Sequence, residues 1–342
     1  MRSIPRFVRC ALPFALLLGA IGCRKGELIT FNRPMLGTII TITIIADSSE
    51  AGVRASEAAF NEIARIEALM SPRLAGSDVA RLNRDGGRIH VTVSDETFAL
   101  IEKSIEVSHR TDGAFDISFA SLGHLWNLAS DDFRPPGHRE TARLLPLVDY
   151  RKITLHPESR RVSFALPGMR VGLGGIAKGY AIARAVGALR REGVRASIVD
   201  AGGDLQVTGD KFGEPWRVGL MHPRKKEILL TIAARDGDSV VTSGDYERFA
   251  FFNGERYHHI IDPKTGFPAR GLASVTVLCS DPVLADAYAT ALFVMGGVRA
   301  REFALAHPEI KVILIDEDMR ISASRELEDR VGPSGRAKIE WF

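Results

Sequence analysis

The run Thr38–Ala46, Thr-Ile-Ile-Thr-Ile-Thr-Ile-Ile-Ala, constrains this chain most, because every residue but the last is β-branched. Branching at Cβ restricts χ1 and suits a pleated surface, so the run is a strand. A few residues on, 51–70 sets Ala59, Ile63, Ile66 and Met70 at helical spacing. That amphipathic helix is stopped by Ser71-Pro72-Arg73. Residues 77–83 then read as a turn or short helix, and 97–110 as a second helix with Leu100, Ile101, Ile105 and Val107 as its apolar set. A hairpin follows over 153–165, then a helix ending near Leu189 and a glycine-interrupted strand over 196–208. Strands are expected at 216–220, 228–234, 247–252, 273–279 and 310–316, and helices at 282–296 and 299–306. Strands and helices mix without regular alternation, which predicts an α+β fold rather than a doubly wound sheet.

The first residues belong to a different kind of segment. Arg2, Arg6 and Arg9 precede an apolar run over 11–21 that is too short to span a bilayer. This is the pattern of an export signal, 1–22. It closes on Gly19-Ala20-Ile21-Gly22-Cys23, small residues before a cysteine, as at a bacterial lipoprotein cleavage site; a plain secretory signal is the alternative. Cys23 is then the candidate lipidation residue, 23–30 a tether, and the protein is expected on a bacterial membrane facing the periplasm. Cys10 leaves with the signal and only Cys279 remains, so the mature chain forms no internal disulfide. The three arginines carry the formal charge of +3, and their loss leaves 42 basic and 42 acidic residues. A neutral chain with no basic run is a poor nucleic-acid binder.

The chemistry gathers in 257–290. Its first part, Tyr257-His258-His259-Ile260-Ile261-Asp262-Pro263-Lys264-Thr265-Gly266, places a base and a carboxylate beside a Pro/Gly turn. Its second part sets Asp286 and Thr290 one helical turn apart on one face. Asp281 can cap that helix and Pro282 fits its first turn. A carboxylate with a hydroxyl suits a hard cation, although such pairs are more often surface or capping groups. The segment 171–180, Val-Gly-Leu-Gly-Gly-Ile-Ala-Lys-Gly-Tyr, is a glycine-rich turn at a helix start, where bare N–H groups suit phosphate oxygens. Its spacing matches neither a Walker loop nor a dinucleotide fingerprint. Further polar turns stand at 111–117, 199–205 and 241–246.

Met35-Leu36-Gly37-Thr38, Met70-Ser71-Pro72-Arg73 with 77–83, and the stretches 112–116, 173–180, 201–204, 242–246, 259–266 and 285–290 occur in that order. Together they resemble the FAD:protein FMN transferases, the ApbE family. The resemblance covers about 31–294 and implies a T-fold-related, two-lobed α+β architecture with FAD in the cleft between lobes. It also implies magnesium at the pyrophosphate, and transfer of FMN from FAD to a Thr or Ser hydroxyl of an acceptor protein, with AMP released. Acceptors of such enzymes are typically subunits of membrane redox complexes.

By position, Asp286 and Thr290 match the family's metal ligands, and Gly175 a ligand acting through its carbonyl. His259 matches the catalytic base. Met35, Arg73, Ala114, Phe115, Asp116, Lys178 and Ile260 match flavin-cleft positions. The implied domain spans 31–324, with 325–342 a charged tail. Three positions depart from the common pattern: Gly172, where many relatives carry Asp; Asp200, where many carry Asn; and Arg184, where Asp is frequent. Two other readings use the same residues: a magnesium-dependent FAD pyrophosphatase with water as acceptor, and a lipoprotein that binds FAD without turnover. The second leaves His259 without a task.

Overall fold

A computed structural model describes residues 26–333 and 337–342. The segment with Cys10 and Cys23 lies outside the described residues. The backbone of the fold is a nine-stranded sheet. Its order is Glu27–Met35, Thr38–Ala46, Ala196–Ala201, Leu205–Thr208, Ser239–Gly244, Leu272–Cys279, Lys311–Asp316, Ile321–Ala323 and Ile339–Trp341. Every neighbouring pair is antiparallel except the last, which is parallel.

The helices are α1 (Ser49–Met70), α2 (Asp78–Asp85), α3 (Asp95–Arg110), α4 (His138–Leu144), α5 (Ala177–Arg191), α6 (Pro282–Met295) and α7 (Gly297–Ala306). The alternation in Thr38–Ala46 sends Ile40, Ile42 and Ile44 to one face, where they are fully buried in a core shared with α1, α5 and α6. Burying one such isoleucine stabilises by roughly 1.5–3 kcal/mol. The opposite face is covered further along the sheet by three strands, Val331–Pro333, Ile228–Ala234 and Trp216–Met221, over a second core of Trp216, Leu230, Ile232 and Leu278.

Helix and sheet are thus not alternating layers, and the α+β expectation holds. Three expectations do not. Residues 27–30, read as tether, are strand, paired through Glu27–Met35 with Thr38–Ala46 in unbroken register. Asn32 and Pro34 weaken the pattern, but an edge strand tolerates a proline that donates nothing. The polar stretch 241–246, read as a turn, contributes most of a central strand, Ser239–Gly244. Its Thr242 hydroxyl bonds the Thr276 hydroxyl of the next strand at 2.9 Å. The "tail" after Ser324 is structural: Leu327 is fully buried, and Val331–Pro333 and Ile339–Trp341 each complete a sheet.

Two helix starts meet at Gly179. A Cβ there would lie 2.0 Å from the Pro282 carbonyl oxygen. The bare Gly179 N–H donates to Asp286 Oδ2 at 2.9 Å. In an ordinary helix Gly→Ala stabilises by up to about 1 kcal/mol. Here Gly179→Ala is expected to destabilise instead, by about 1–3 kcal/mol from overpacking. Thermal unfolding reads the sign, and a raised melting temperature would contradict the close crossing.

Candidate active site

The starts of α5 and α6 open into a cleft of about 790 Å³, a size usual for small-molecule and cofactor sites. α6 begins as its sequence dictates. Asp281 Oδ1 accepts from the Val283 N–H at 2.8 Å, and Pro282 occupies the first turn. One turn on, Asp286 is 3% exposed. Burial, and then the charge of Asp204, push its carboxyl up to about 7, against the pull of Lys178. A buried carboxylate with so little compensation is a site prepared for a cation.

Thr290 lies next along that face. A Cβ on Gly175 would stand 3.0 Å from the Thr290 hydroxyl oxygen, so the glycine-rich turn presses its backbone onto α6. The Asp286 carboxylate, the Thr290 hydroxyl and the Gly175 backbone all line the cleft, and oxygen donors without a sulfur or imidazole partner suit magnesium better than zinc. Among the described residues no cluster of three His, Cys, Asp or Glu offers an alternative metal site.

Lys178 faces the same space, ion-paired with the buried Asp204. Burial works against its charge, but Asp204, Asp286 and Glu247 together hold its pKa above the ordinary lysine value. Asp204 also accepts from the Thr242 N–H at 3.2 Å, tying the 201–204 hairpin to the central strand. On the rim, Leu36 and Gly37 form a left-handed turn (φ 55° and 73°). Arg248 and Arg73 guanidinium nitrogens lie 3.8 and 3.9 Å from where a Cβ on Gly37 would be. Two exposed guanidiniums converging at Gly37, in a cleft also lined by Lys178, make the cleft receptive to an anion.

The two adjacent histidines part company here. His258 ends a strand; its Nε2 lies 2.9 Å from the Ala269 carbonyl and its Nδ1 accepts from the Ile260 N–H at 3.3 Å. Its ring packs edge-on against Phe293, so it serves the fold. His259 lines the cleft. Its Nδ1 is buried without a hydrogen-bond partner, so no carboxylate orients or charges the ring. Burial first, then Arg248 and His258, lower its pKa to about 4. The imidazole is neutral at physiological pH and able to accept a proton. As base it works above its own pKa and fails as pH falls through it. The acid limb of kcat/KM is therefore expected well below pH 6.5, and a limb at 6.5 or higher in a pH–rate profile would refute that environment.

Of the flavin-cleft positions, Arg73, Ala114, Phe115, Asp116, Lys178 and Ile260 all line the cleft. Met35 does not: it packs against the main core, and its neighbours Leu36 and Gly37 take the rim instead. Asp116 is occupied by local structure, accepting from Ser118 N–H and hydroxyl at 2.8 and 2.6 Å and from Tyr150 N–H at 2.9 Å. Gly172 lines the cleft without a carboxylate, and a Cβ there would press on the Ala120 methyl at 3.0 Å. Arg184 lies away from the cleft, toward Glu62 and Glu96. Asp200 accepts from the Gly203 N–H at 2.7 Å and shapes the hairpin beside Asp204. Asp204, Glu247 and Arg248 line the cleft without having been singled out. In the sequence Asp204 belongs to the polar stretch 201–204, whereas Glu247 and Arg248 only follow the stretch 242–246 and carry no motif of their own.

The turn 262–266 is anchored across the cleft. Trp126 Nε1 donates to the Gly266 carbonyl at 3.0 Å, and Lys264 Nζ bonds Asp112 at 2.8 Å.

Known proteins resemble this chain throughout. The model of the ApbE family matches residues 36–314. A curated protein of Treponema pallidum, named FAD:protein FMN transferase, is 32% identical, with 97% of each chain covered. One of Klebsiella pneumoniae with that name is 30% identical over 89% of this chain and 94% of its own. Among solved structures, the ApbE protein of Thermotoga maritima superposes with a TM-score of 0.83 at 33% identity, covering 89% of this chain and 99% of that one. The flavin transferase ApbE of Vibrio cholerae gives 0.78 at 28% identity, with the same coverage.

Proposed function

The chain belongs to the ApbE family, and from that premise we infer that it is an FAD:protein FMN transferase. One observation carries the reading. Oxygen donors for a hard cation, a lysine, two rim arginines and a neutral histidine all face one cleft.

Lys178 and the rim guanidiniums hold the pyrophosphate of FAD, a task for fixed positive charge. Asp286, Thr290 and the Gly175 carbonyl would hold magnesium, which when bound would supply charge neutralisation and Lewis-acid polarisation. The acceptor hydroxyl gives its proton to His259 as its oxygen bonds to the FMN phosphorus. The bond from that phosphorus to the bridging oxygen breaks, and AMP leaves with the electron pair. The proton on His259 then passes to solvent or to the departing phosphate. Positioning and electrostatics do most of such work.

Incubating the mature chain with FAD, magnesium and candidate acceptors tests this. Mass spectrometry should find an FMN-sized adduct on a Thr or Ser. Free FMN and AMP with no adduct across acceptors would establish the pyrophosphatase instead.

The expected setting is the outer face of a bacterial membrane, with a membrane redox subunit as acceptor. Support comes from the basic, apolar and small-residue order of the first 22 residues before Cys23. Among the described residues no helix is long and apolar enough to cross a membrane. A single acyl chain holds weakly, and stable anchoring requires two or more. Cys23→Ser should move the protein from the membrane to the soluble exported fraction, and unchanged retention after fractionation would exclude lipidation.

A further inference from the structure

The strands Phe249–Phe252 and Glu255–His258 form a sheet of their own. They are joined by Asn253-Gly254, both left-handed (φ 51° and 80°), the two-residue turn that matches hairpin twist. The hairpin leaves the cleft at Arg248 and returns to it at His259. Its pairing runs Phe249↔His258, Ala250↔Tyr257, Phe251↔Arg256 and Phe252↔Glu255. The His259 N–H donates to the Arg248 carbonyl at 3.1 Å, which makes 248/259 a hydrogen-bonded pair. Hydrogen-bonded and non-bonded pairs alternate in an antiparallel ladder. The N–H and C=O groups of Phe249 and Phe251 therefore point away from the partner strand. Among the described residues no third strand pairs with this edge, and those groups make no other backbone hydrogen bond.

The two faces differ. Ala250, Phe252 and Tyr257 pack onto Trp126, Phe133 and Ile261, which anchors one face of the hairpin. Phe249 and Phe251 are 38% and 59% exposed and meet edge to face at 5.6 Å. The Arg256 guanidinium lies over both rings, at 4.0 and 5.1 Å. Exposed edges usually carry lysine, proline or a bulge that discourages pairing. The strand Phe-Ala-Phe-Phe has none of these.

We propose that the acceptor protein docks an extended segment along the outer edge of Phe249–Phe252 as an added strand, bringing its hydroxyl residue to the cleft mouth at His259. This rests on the transferase reading. Backbone bonds to Phe249 and Phe251 supply affinity, and the two rings grip alternate side chains, the mode of β-strand addition. The edge leads to the reacting group: one or two residues beyond Phe249, at about 3.3 Å each, a paired chain reaches the level of Arg248 and its cross-strand partner His259. A neutral imidazole inside a cleft must receive a protein hydroxyl from outside, and an extended strand is narrow enough to deliver it. A second copy of this chain is the competing occupant, but pairing edge to edge would close the mouth that the acceptor needs.

The test separates backbone from side chain. Phe251→Pro removes one outward N–H at a position that donates nothing within the hairpin, and a strand edge tolerates proline. Phe251→Val removes the ring but keeps that N–H. The probe is a pool of randomised peptides of about twelve residues, each with one central threonine, with FAD and magnesium present. Wild type should label a subset with FMN. Phe251→Val should lose a few-fold in kcat/KM for those peptides, and Phe251→Pro about tenfold more. FMN release to water without peptide should stay within about twofold for both. Hydrogen exchange at the Phe249 and Phe251 amides should slow when a labelled peptide is present.

Equal rates for the two variants, or equal losses in FMN release to water, would overturn the edge. Labelling of intact proteins but of no peptide would overturn docking through an extended segment. Concentration-dependent dimerisation in sedimentation, abolished by Phe251→Pro, would assign the edge to self-association. Free FMN and AMP with no adduct on any acceptor would instead fail the transferase reading, and docking with it.

Discussion

His259→Ala is expected to cut FMN transfer by about a hundredfold or more, within the range that a positioned general base contributes. FAD affinity should change only a few-fold, because the ring lies against the cleft with its Nδ1 unpaired and its pKa lowered to about 4. An uncharged imidazole adds little to holding a pyrophosphate. The loss should therefore appear in kcat rather than KM. The neighbouring position gives the control. His258 bonds the Ala269 carbonyl and the Ile260 N–H and touches Phe293. His258→Ala should lower the melting temperature and impair the enzyme only through folding. Steady-state kinetics with thermal unfolding on both variants decides the assignment, which fails if His258→Ala keeps its stability and loses turnover while His259→Ala keeps it.

Asp286→Asn should remove the mutual dependence of magnesium and FAD. Asparagine keeps the shape, and its side-chain oxygen still accepts from the Gly179 N–H, so the helix crossing survives. The charge does not. In the wild type, magnesium should bind weakly alone and more tightly with FAD, by the 5–150-fold usual for coupled sites, and FAD should respond reciprocally. In the variant that factor should fall to about one, with transfer reduced about a hundredfold or more as the charge holding the cation is lost. Titration calorimetry reads the coupling. Tight magnesium binding without FAD, or FAD binding indifferent to magnesium in the wild type, would remove Asp286 from the cation site.

The same carboxyl carries a stability signature. Its folded pKa is raised to about 7 by burial, above the usual carboxylate value near 4. The empty folded protein therefore binds more protons than the unfolded chain across that window, and it loses stability as pH rises through it. Asp286→Asn abolishes that loss. The empty variant should melt higher than wild type at pH 8, with a smaller difference at pH 5.

Much of this was legible in the chain because it is local. The β-branched run Thr38–Ala46, the Asp281-Pro282 start of α6 and the i, i+4 placement of Asp286 and Thr290 depend on residues within a turn or two of each other. The site positions came from motifs kept in order, and nearly all of them line one cleft. Met35 failed because side-chain direction at an edge turn is set by Leu36 and Gly37 both adopting positive φ. Ser239–Gly244 was missed because its Thr-Ser-Gly end carries a turn's composition. Flanking strands and the bond from Thr242 to Thr276 make it a strand. The tail after Ser324 was missed because its strands pair with partners that their own residues do not announce.

The sequence by itself determined most element types, the mixed α+β class and the balance of 42 basic and 42 acidic residues beyond the first three arginines. These follow from side-chain chemistry and short-range periodicity, whereas the candidate oxygen donors and base were implied by motif order and the family resemblance. Only the tertiary structure decided which histidine faces the cleft, that Gly172 packs beside Ala120, that Lys178 is held by Asp204, and that Arg73 and Arg248 meet over Gly37. These contacts join residues tens to hundreds of positions apart. The burial and neighbouring charges that tune Asp286 and His259 are properties of the packed space around them, and no local pattern in the chain encodes that space.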